Sequence, residues 1–259
     1  MKLDGEKGSV AQFIRDCQVR NLSDRTIFNY TRYLRVMVKI LEKQCSVTEL
    51  EQVTVTHLRD CVFYLLSSGE NEALSVSTVK LYIRIWKVFF NWCYQEELLD
   101  MNPVNRLKSP KAEKRIKQTF TPEQIQVILD SCDLSTEVGF RDCVIFSLMA
   151  DTGLRLSEIV SLDLDSVQPT YVKIFGKGRR EREIGLHPEV SKLLWKYINK
   201  CRHAAPGETA LFVGRKGPLT KAAVEKIVKR AKERCSLNVA QFSPHVFRHT
   251  FSKQYIDHG

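Results

Sequence analysis

The sequence lacks the features that mark several large classes of protein. Its 8 cysteines are scattered along the chain without a Cys-x-x-Cys spacing, which argues against both a zinc site and a disulfide framework. The N-terminus has no apolar core of signal-peptide length, and no stretch is apolar and long enough to span a membrane. Internal repeats and low-complexity tracts are also absent. These absences predict an intracellular protein with no metal, no disulfides and no membrane partner.

What the sequence does have is positive charge, spread over its whole length. Lys and Arg exceed Asp and Glu by 10 among 259 residues. Residues 1–118 contain 19 basic and 14 acidic groups, and residues 119–259 contain 21 and 16. Because each half is basic, both are expected to contact a polyanion, of which nucleic acid is the usual one. A generic basic protein without such a partner is the alternative that charge alone leaves open.

Capping residues divide the first hundred residues into predicted helices. Each capping residue has a hydroxyl side chain and precedes a stretch with apolar residues at helical spacing. The predicted caps are Ser9, Ser23, Thr54 and either Ser75 or Ser77. The pattern predicts a bundle of four or five helices that ends near Leu99, with Asn102-Pro103 as its stop.

The fourth predicted helix has one apolar and one basic face. Lys80, Arg84 and Lys87 are spaced to lie together on its exposed side. The residues expected to face the core are Val79, Ile83, Trp86, Phe90 and Cys93. We therefore expect the three basic residues to be available to a polyanion.

A basic linker is predicted between two domains, one formed by residues 1–105 and the other by residues 119–259. Within this linker, residues 106–118, a proline interrupts the run, and a single acid, Glu113, accompanies six basic groups. The six are Arg106, Lys108, Lys111, Lys114, Arg115 and Lys117. Such a run is commonly a solvated tether, but between two basic domains it is well placed to lie on a phosphate backbone.

Residues 119–259 alternate helical and strand-like patterns and predict an α-rich domain with a small β-sheet. Thr121-Pro122-Glu123 is a strong helix start, and Gly153 is free to adopt the left-handed geometry of a helix end. Alternating residues on either side of the Gly176-Lys177-Gly178 turn predict a hairpin. The predicted helices are about 137–151, 188–203 and 220–234, and the predicted strands are 170–175, 182–186 and 210–213.

Three short stretches contain charged residues that a core does not require. In the first, residues 152–158, Arg155 follows a helix-ending glycine, lies between two leucines and needs an anion or a carboxylate partner. An ion pair with Glu158, three residues on, is the purely structural alternative. In the second, glycines on both sides of Lys177 allow a ligand to approach the backbone closely, although a plain turn is the alternative.

The third stretch is a predicted helix that starts at Ser243-Pro244. His245 and Arg248 are three residues apart, so their side chains share one helix face near its start. An imidazole and a guanidinium beside the N-terminus of a helix favour an anion. Such a pair also occurs by chance in many helices, and only the upstream motifs make a binding site the stronger interpretation.

Arg155, Lys177, His245 and Arg248, in this order, resemble the tyrosine recombinase (phage integrase) family, with its Xer-type and mobile-element integrases as the nearest likeness. The resemblance covers nearly the whole chain and rests on T-G-L-R-x-S-E, the G-K-G hairpin and S-P-H-V-x-R-H-T. It implies a mainly α fold. An N-terminal helical bundle, the SAM-like core-binding domain, would precede an α-rich catalytic domain with a small β-sheet.

The resemblance implies a site-specific recombinase or integrase that breaks and rejoins DNA strands through a 3′-phosphotyrosyl intermediate, without a metal or another cofactor. Arg155 and Arg248 match the two arginines that clamp the phosphate, and Lys177 matches the lysine that protonates the departing 5′-oxygen. His245 matches the histidine that hydrogen-bonds the phosphate and assists proton transfer. Glu158 falls where the family has an acid that supports the site.

The resemblance also implies the partners. The chain is expected to hold double-stranded DNA with inverted-repeat half-sites as a clamp and, at full length, to assemble on it as a homo-oligomer, from dimer to tetramer. The basic residues expected to contact DNA are Lys80, Arg84, Lys87, Lys108, Lys111, Lys114, Arg115, Lys117, Arg179 and Arg180. The expected setting is the cytoplasm of a bacterium or archaeon.

The family's nucleophile is a tyrosine on a helix after the His-x-x-Arg helix, and the sequence reaches Gly259 before a counterpart occurs. Tyr255 lies two turns past Arg248 on the same predicted helix and is interpreted as a packing residue. His57 and His249 are also interpreted as structural. We therefore expect a recombinase truncated before its nucleophile, which binds DNA but does not cleave it.

Two other interpretations remain open at this point. A non-catalytic DNA-binding regulator derived from a recombinase would explain the missing tyrosine, but it would not require all four charged positions. An RNA-binding protein is supported by charge alone, because no aromatic-rich base-stacking motif occurs.

Overall fold

The computed structural model describes residues 1–67, 73–111, 118–175 and 181–258. The chain divides into two compact units, Met1–Lys114 and Arg115–Gly259, and each unit contains its own hydrophobic core. The described residues are mainly α-helical, with two short antiparallel sheets in the second unit. The predicted fold class is therefore confirmed. None of the described helices is long and apolar enough to cross a membrane.

Four α-helices build the described part of the first unit. They are α1 (Ser9–Val19), α2 (Asp24–Cys45), α3 (Val55–Leu66) and α4 (Val76–Gln95), with short 3-10 turns at Leu50–Gln52 and Pro103–Arg106. The predicted caps at Ser23, Thr54 and Ser75 are confirmed, because each side chain accepts a hydrogen bond from the backbone N–H three residues later. His57 has a structural role, as expected, since its Nδ1 accepts from the Thr54 N–H at 3.3 Å.

The predicted cap at Ser9 is wrong by one residue. The N-cap of α1 is Gly8, which has no side chain to accept a capping hydrogen bond. The N–H groups of Ser9 and Val10 donate instead to the carbonyls of Lys2 and Leu3, at 2.9 and 3.2 Å. A preceding segment of backbone thus satisfies the helix start in place of a hydroxyl, and Ser9 itself is fully buried.

Aromatic side chains form the centre of the first unit. The ring of Phe13 on α1 lies 5.6 Å from that of Phe89 and 5.4 Å from that of Trp92, both on α4. The predicted core face of α4 is confirmed. Its fully buried residues include Val79, Ile83, Trp86, Phe90 and Cys93.

The second unit combines helices with two small hairpins. Its helices are α5 (Pro122–Asp130), α6 (Glu137–Thr152), α7 (Leu156–Ile159), α8 (Pro188–Lys196), α9 (Lys221–Cys235) and α10 (Pro244–His258), and its strands are β1 (Tyr171–Phe175), β2 (Glu181–Gly185), β3 (Val213–Gly214) and β4 (Gly217–Pro218). β1 pairs antiparallel with β2, from Tyr171 opposite Gly185 to Phe175 opposite Glu181. A π-helical turn, Tyr197–Cys201, extends α8.

The strand predicted at residues 210–213 forms only at its end. Val213 belongs to β3, whereas Ala210 makes an isolated bridge to another loop. The guanidinium of Arg202 accounts for the difference, because it donates to the carbonyls of Ala210 and Leu211 at 2.7–3.2 Å. The Arg202 side chain therefore donates the hydrogen bonds to backbone carbonyls that a neighbouring strand would otherwise donate.

Helix α6 is the centre of the second unit. It is buried on nearly every side and packs against α5, α8 and α10. Even its charged residues are buried, since Arg141 Nη2 lies 2.7 Å from Asp142 Oδ1 and Arg141 Nη1 donates to the Val213 carbonyl at 2.9 Å. Burial raises the pKa of Asp142, although the adjacent guanidinium opposes this. A charged side chain thus ties α6 to β3.

Candidate active site

Arg155, the first of the predicted site residues, is the N-cap of α7. Its side chain is 53% exposed, and its Nη1 lies 2.9 Å from Oε1 of Glu158. The other carboxylate oxygen of Glu158 accepts a hydrogen bond from the backbone N–H of Arg155 at 2.8 Å. The ion pair that the sequence left as an alternative is therefore present. It leaves donors for a ligand, because a guanidinium has about five N–H groups and this contact uses one of them.

Glu158 is shared with a second arginine. Arg182 on β2 places its Nη2 3.1 Å from the same oxygen, Oε1, and the side chain of Glu158 is 7% exposed. Burial acts to raise the pKa of Glu158, but the hydrogen bonds from Arg155 and the charges of both arginines outweigh it, and the pKa is lowered overall. The carboxylate is therefore ionised and held by two guanidiniums.

Arg248 joins the last motif to the first. It lies on α10, and its Nη1 donates to the backbone carbonyl of Gly153 at 2.6 Å, across 95 positions of sequence. Gly153 is two residues before Arg155. The two arginines predicted to bind a phosphate are thus brought to one region of the second unit.

Gly153 permits this junction for two reasons. Its φ of 58° is left-handed, a region that residues with a Cβ rarely adopt. A Cβ at this position would also lie 2.8 Å from Cγ of Phe251 on α10, and closer still to Cδ1. Thr250 adds a second anchor for α10, since its Oγ1 accepts from the Phe120 N–H and donates to the Val246 carbonyl, each at 2.8 Å.

His245 lies in the first turn of α10 and is exposed, one turn before Arg248. Lys177 lies outside the described residues, between the end of β1 at Phe175 and the start of β2 at Glu181. The structure therefore brings Arg248 to the Arg155 segment and His245 to the same helix as Arg248. The placement of Lys177 stays a prediction.

The functional groups of this region are guanidinium, carboxylate and imidazole. Within the described ranges, no group of three or more His, Cys, Asp or Glu side chains could hold a metal ion. Two arginines near an exposed histidine favour an oxyanion as the ligand, because guanidinium groups bind phosphate and carboxylate oxygens in a planar fork.

Both units match known families in sequence. Residues 118–259 match the phage integrase family, and residues 10–100 match the phage integrase N-terminal SAM-like domain. The chain belongs to the phage integrase family. The predicted resemblance to the tyrosine recombinases is therefore confirmed.

Individual relatives of this phage integrase family member are distant in sequence but similar along most of their length. The tyrosine recombinase XerD of Staphylococcus haemolyticus (strain JCSC1435) is 27% identical over 257 residues, which cover 96% of this chain and 85% of that protein. A lambda integrase (75–356) dimer bound to a COC′ core site has a TM-score of 0.73 at 16% identity, covering 95% of this chain and 88% of that chain. The Tn1549 transposon integrase (aa 82–397) in complex with circular intermediate DNA has a TM-score of 0.75 at 17% identity, covering 97% and 87%. At such identities the structural likeness concerns the fold.

In an integrase-family chain the position of Tyr255 is of interest, because no other tyrosine follows Arg248 in the sequence. Tyr255 is 69% exposed, and its ring stacks on that of Phe251 with centroids 6.1 Å apart. Tyr255 thus contacts Phe251 without being buried, and its interpretation as a packing residue stays a prediction. The last turns of α10 extend beyond the core, since the neighbouring Ile256 is 79% exposed as well.

The basic residues predicted to contact DNA are accessible where the structure describes them. Arg84, Lys108 and Lys111 are exposed, and Lys80 and Lys87 are half-buried. The others, Lys114, Arg115, Lys117, Arg179 and Arg180, lie outside the described residues. Accessibility is necessary for phosphate contacts but does not establish them, so these positions stay predictions.

Arg182 is the residue of this cluster that sequence reasoning missed. It lies opposite Ile174 in the β1–β2 pairing, and Ile174 is buried. Arg182 is thus on the same face of the hairpin as buried Ile174, although its own side chain is 42% exposed. The available signal in the sequence was a charged residue opposite an apolar one across the hairpin. Recognising it required the exact pairing of the two strands.

Proposed function

We propose that this chain is a site-specific DNA recombinase whose second unit binds one phosphate of the DNA backbone through Arg155 and Arg248. The observation that carries the proposal is the hydrogen bond from Arg248 to the Gly153 carbonyl at 2.6 Å. Because this bond joins the last motif to the first, two guanidiniums with further N–H donors lie in one region. Membership of the phage integrase family supports DNA as the source of the phosphate.

Two guanidiniums suit metal-free phosphoryl transfer. A pentavalent phosphorane carries extra negative charge, and the planar fork of arginine binds phosphate oxygens in pairs. In this proposal His245 hydrogen-bonds the same phosphate and assists proton transfer, and Lys177 protonates the departing 5′-oxygen. Glu158 orients Arg155 and does not contact DNA.

We infer that both units contact the duplex, with proposed boundaries at residues 1–105, 106–118 and 119–259. The accessible basic residues of α4 and of the linker support contacts with phosphates. The proposed setting is a bacterial or archaeal cytoplasm, on DNA with inverted half-sites. The lambda integrase relative is a dimer bound to a core site, which supports a homo-oligomer, from dimer to tetramer, on the DNA.

We further propose that these 259 residues bind DNA without cleaving it. Tyr255 is seven residues past Arg248 on one helix, so the two lie about 10 Å apart along the axis. A nucleophile has to approach the reacting atom to about 3–3.5 Å, whereas Arg248 is anchored at Gly153. In this proposal the Tyr255 ring, which stacks on Phe251, does not reach the phosphate that Arg248 binds.

A pool of nicked duplexes tests both parts of the proposal in one experiment. Binding should weaken from low to physiological salt, with log K falling by about 0.9 per log unit of salt for each phosphate neutralised. After denaturation no covalent protein–DNA adduct should remain. An affinity that is the same at all salt concentrations would contradict binding through phosphate contacts, and no detectable affinity would contradict DNA binding.

The Tyr255→Phe variant is the matched control for cleavage. Salt-dependent binding without an adduct is expected for both the wild-type chain and this variant. If the wild-type chain forms an adduct that the variant lacks, Tyr255 is the nucleophile. That result would overturn the non-cleaving part of the proposal and leave DNA binding intact.

A further inference from the structure

One buried carboxylate is held by two arginines from different elements. Arg155 Nη1 lies 2.9 Å from Oε1 of Glu158, and Arg182 Nη2 lies 3.1 Å from the same atom. Oε2 accepts from the Arg155 backbone N–H at 2.8 Å. With its side chain 7% exposed, Glu158 has both oxygens occupied and little contact with water.

The register of the β1–β2 hairpin explains why Arg182 reaches this carboxylate. Arg182 lies opposite Ile174, and Ile184 lies opposite Val172 on the same face. Val172 and Ile174 are buried in the core, so this face turns inward, although the Arg182 side chain at its edge remains 42% exposed. From this face its guanidinium reaches a buried carboxylate of opposite charge. Glu158, near the start of α7, provides that carboxylate.

The second arginine changes the charge that an approaching anion meets. Arg155 and Glu158 alone form a neutral pair, in which the carboxylate competes with a phosphate for the guanidinium. With Arg182, the cluster contains two positive charges and one negative charge, and Oε1 divides its hydrogen bonding between two donors. Arg155 remains 53% exposed, with N–H groups to offer to an anion.

We propose that Arg182 is a positioning residue for DNA binding. It holds and partly neutralises Glu158, and through Glu158 it keeps the guanidinium of Arg155 available to a DNA phosphate. Arg182 does not contact the DNA itself. The inference rests on the proposed function of Arg155 and adds a residue to which neither the motifs nor the family match assigns a role.

A double-mutant cycle on DNA affinity tests this route. The proteins are the wild type, Arg182→Ala, Glu158→Gln and the double variant, each titrated with one duplex at one salt concentration. Arg182→Ala should weaken binding about fivefold, close to the loss of one phosphate contact. In the Glu158→Gln background the same substitution should change affinity by less than about twofold, because the connecting carboxylate is gone.

Two further measurements separate positioning from a general structural role. Arg182→Lys keeps the charge and a single N–H contact, and it should restore most of the affinity, to within about twofold of the wild type. Thermal unfolding of every variant reports lost stability, which by itself does not produce coupling between Arg182 and Glu158 in DNA affinity.

The chain offers a matched control pair in Lys192 and Glu189 on α8. This ion pair has an N–O distance of 3.6 Å, and its side chains are 77% and 76% exposed. The cycle of Lys192→Ala with Glu189→Gln removes one positive and one negative charge from a pair outside the Arg155–Glu158–Arg182 cluster. Its effects on affinity should be small and additive, within about twofold, as for screened surface charges.

Arg155→Ala distinguishes failure of this inference from failure of the proposed function. It should weaken binding about tenfold. If it leaves affinity unchanged, the proposed role of Arg155 is wrong, and the role of Arg182 falls with it. If Arg155→Ala weakens binding but Arg182→Ala does not, only the inference is overturned. Equal losses from Arg182→Ala in both backgrounds also overturn it, because Arg182 would then contact DNA directly.

Discussion

The two units of the chain are stabilised in different ways. In the first, each helix buries one face, and aromatic rings such as those of Phe13 and Phe89 meet in the centre. In the second, α6 is buried nearly all round. Hydrogen bonds between distant segments hold its neighbours, as between Arg141 and the Val213 carbonyl and between Arg248 and the Gly153 carbonyl.

This difference corresponds to what each unit has to position. Apolar packing is non-directional, so it supports a bundle whose outer faces present basic groups without defining their exact geometry. Hydrogen bonds define both a distance and a direction. The candidate site lies in the second unit, where the proposed function requires two guanidiniums to be aimed at one anion, and that is where the directional contacts are found.

Trp86→Ala should have the largest effect on stability, and that effect should appear in the first unit. Trp86 is fully buried, and truncation of a large core aromatic costs about 3–5 kcal/mol. Hydrogen exchange monitored by mass spectrometry would report each unit separately. Phe63→Ala is the control, because Phe63 on α3 is 71% exposed and should change stability by less than about 0.5 kcal/mol. Equal destabilisation of both units would contradict the conclusion that each unit is stabilised by its own core.

Gly153→Ala should destabilise the second unit by about 3 kcal/mol, because it combines left-handed strain with a clash against Phe251 on α10. Gly207→Ala separates the two causes. Gly207 has a φ of 81° with nothing within 4 Å of an added Cβ, so it should lose only about 1–2 kcal/mol from backbone strain. Urea unfolding measures both. Similar losses at the two glycines would mean that the contact with α10 contributes nothing.

Glu158→Gln should cost about 2 kcal/mol at neutral pH, since it removes a buried charge from two guanidiniums. The pKa of Glu158 is lowered in the folded chain from its ordinary value of 4.5. The stabilisation is therefore fully present above that value and is lost as the pH falls through the lower folded pKa. Melting temperatures of the wild type and the variant should differ constantly above pH 4.5 and converge below it.

Glu189→Gln on α8 is the control for this pH dependence. Glu189 is 76% exposed, so its replacement should leave the melting temperature nearly unchanged at every pH. If the melting temperatures of the wild type and Glu158→Gln still differ in acid, the substitution acts through packing. The stabilisation by Glu158 would then not be electrostatic.

Local signals in the sequence predicted the helices well. Ser23, Thr54, Ser75 and Thr121 each cap the helix that follows them, and Gly153 ends α6. Such signals work because a cap and its N–H partner are about three residues apart. The two local errors, at Ser9 and Ala210, arose where another segment or side chain supplied the hydrogen bonds instead.

The sequence by itself determined that one half is helical and the other mixed, and that each half has an excess of positive charge. It also contains the motifs by which the family is recognised. These depend on composition and on spacing within a few turns of helix. Only the tertiary structure decided that Arg248 bonds to Gly153, 95 positions away, and that Arg182 shares Glu158 with Arg155, across 24 positions. Contacts of this kind depend on strand register and on how helices pack around α6, which no local spacing encodes.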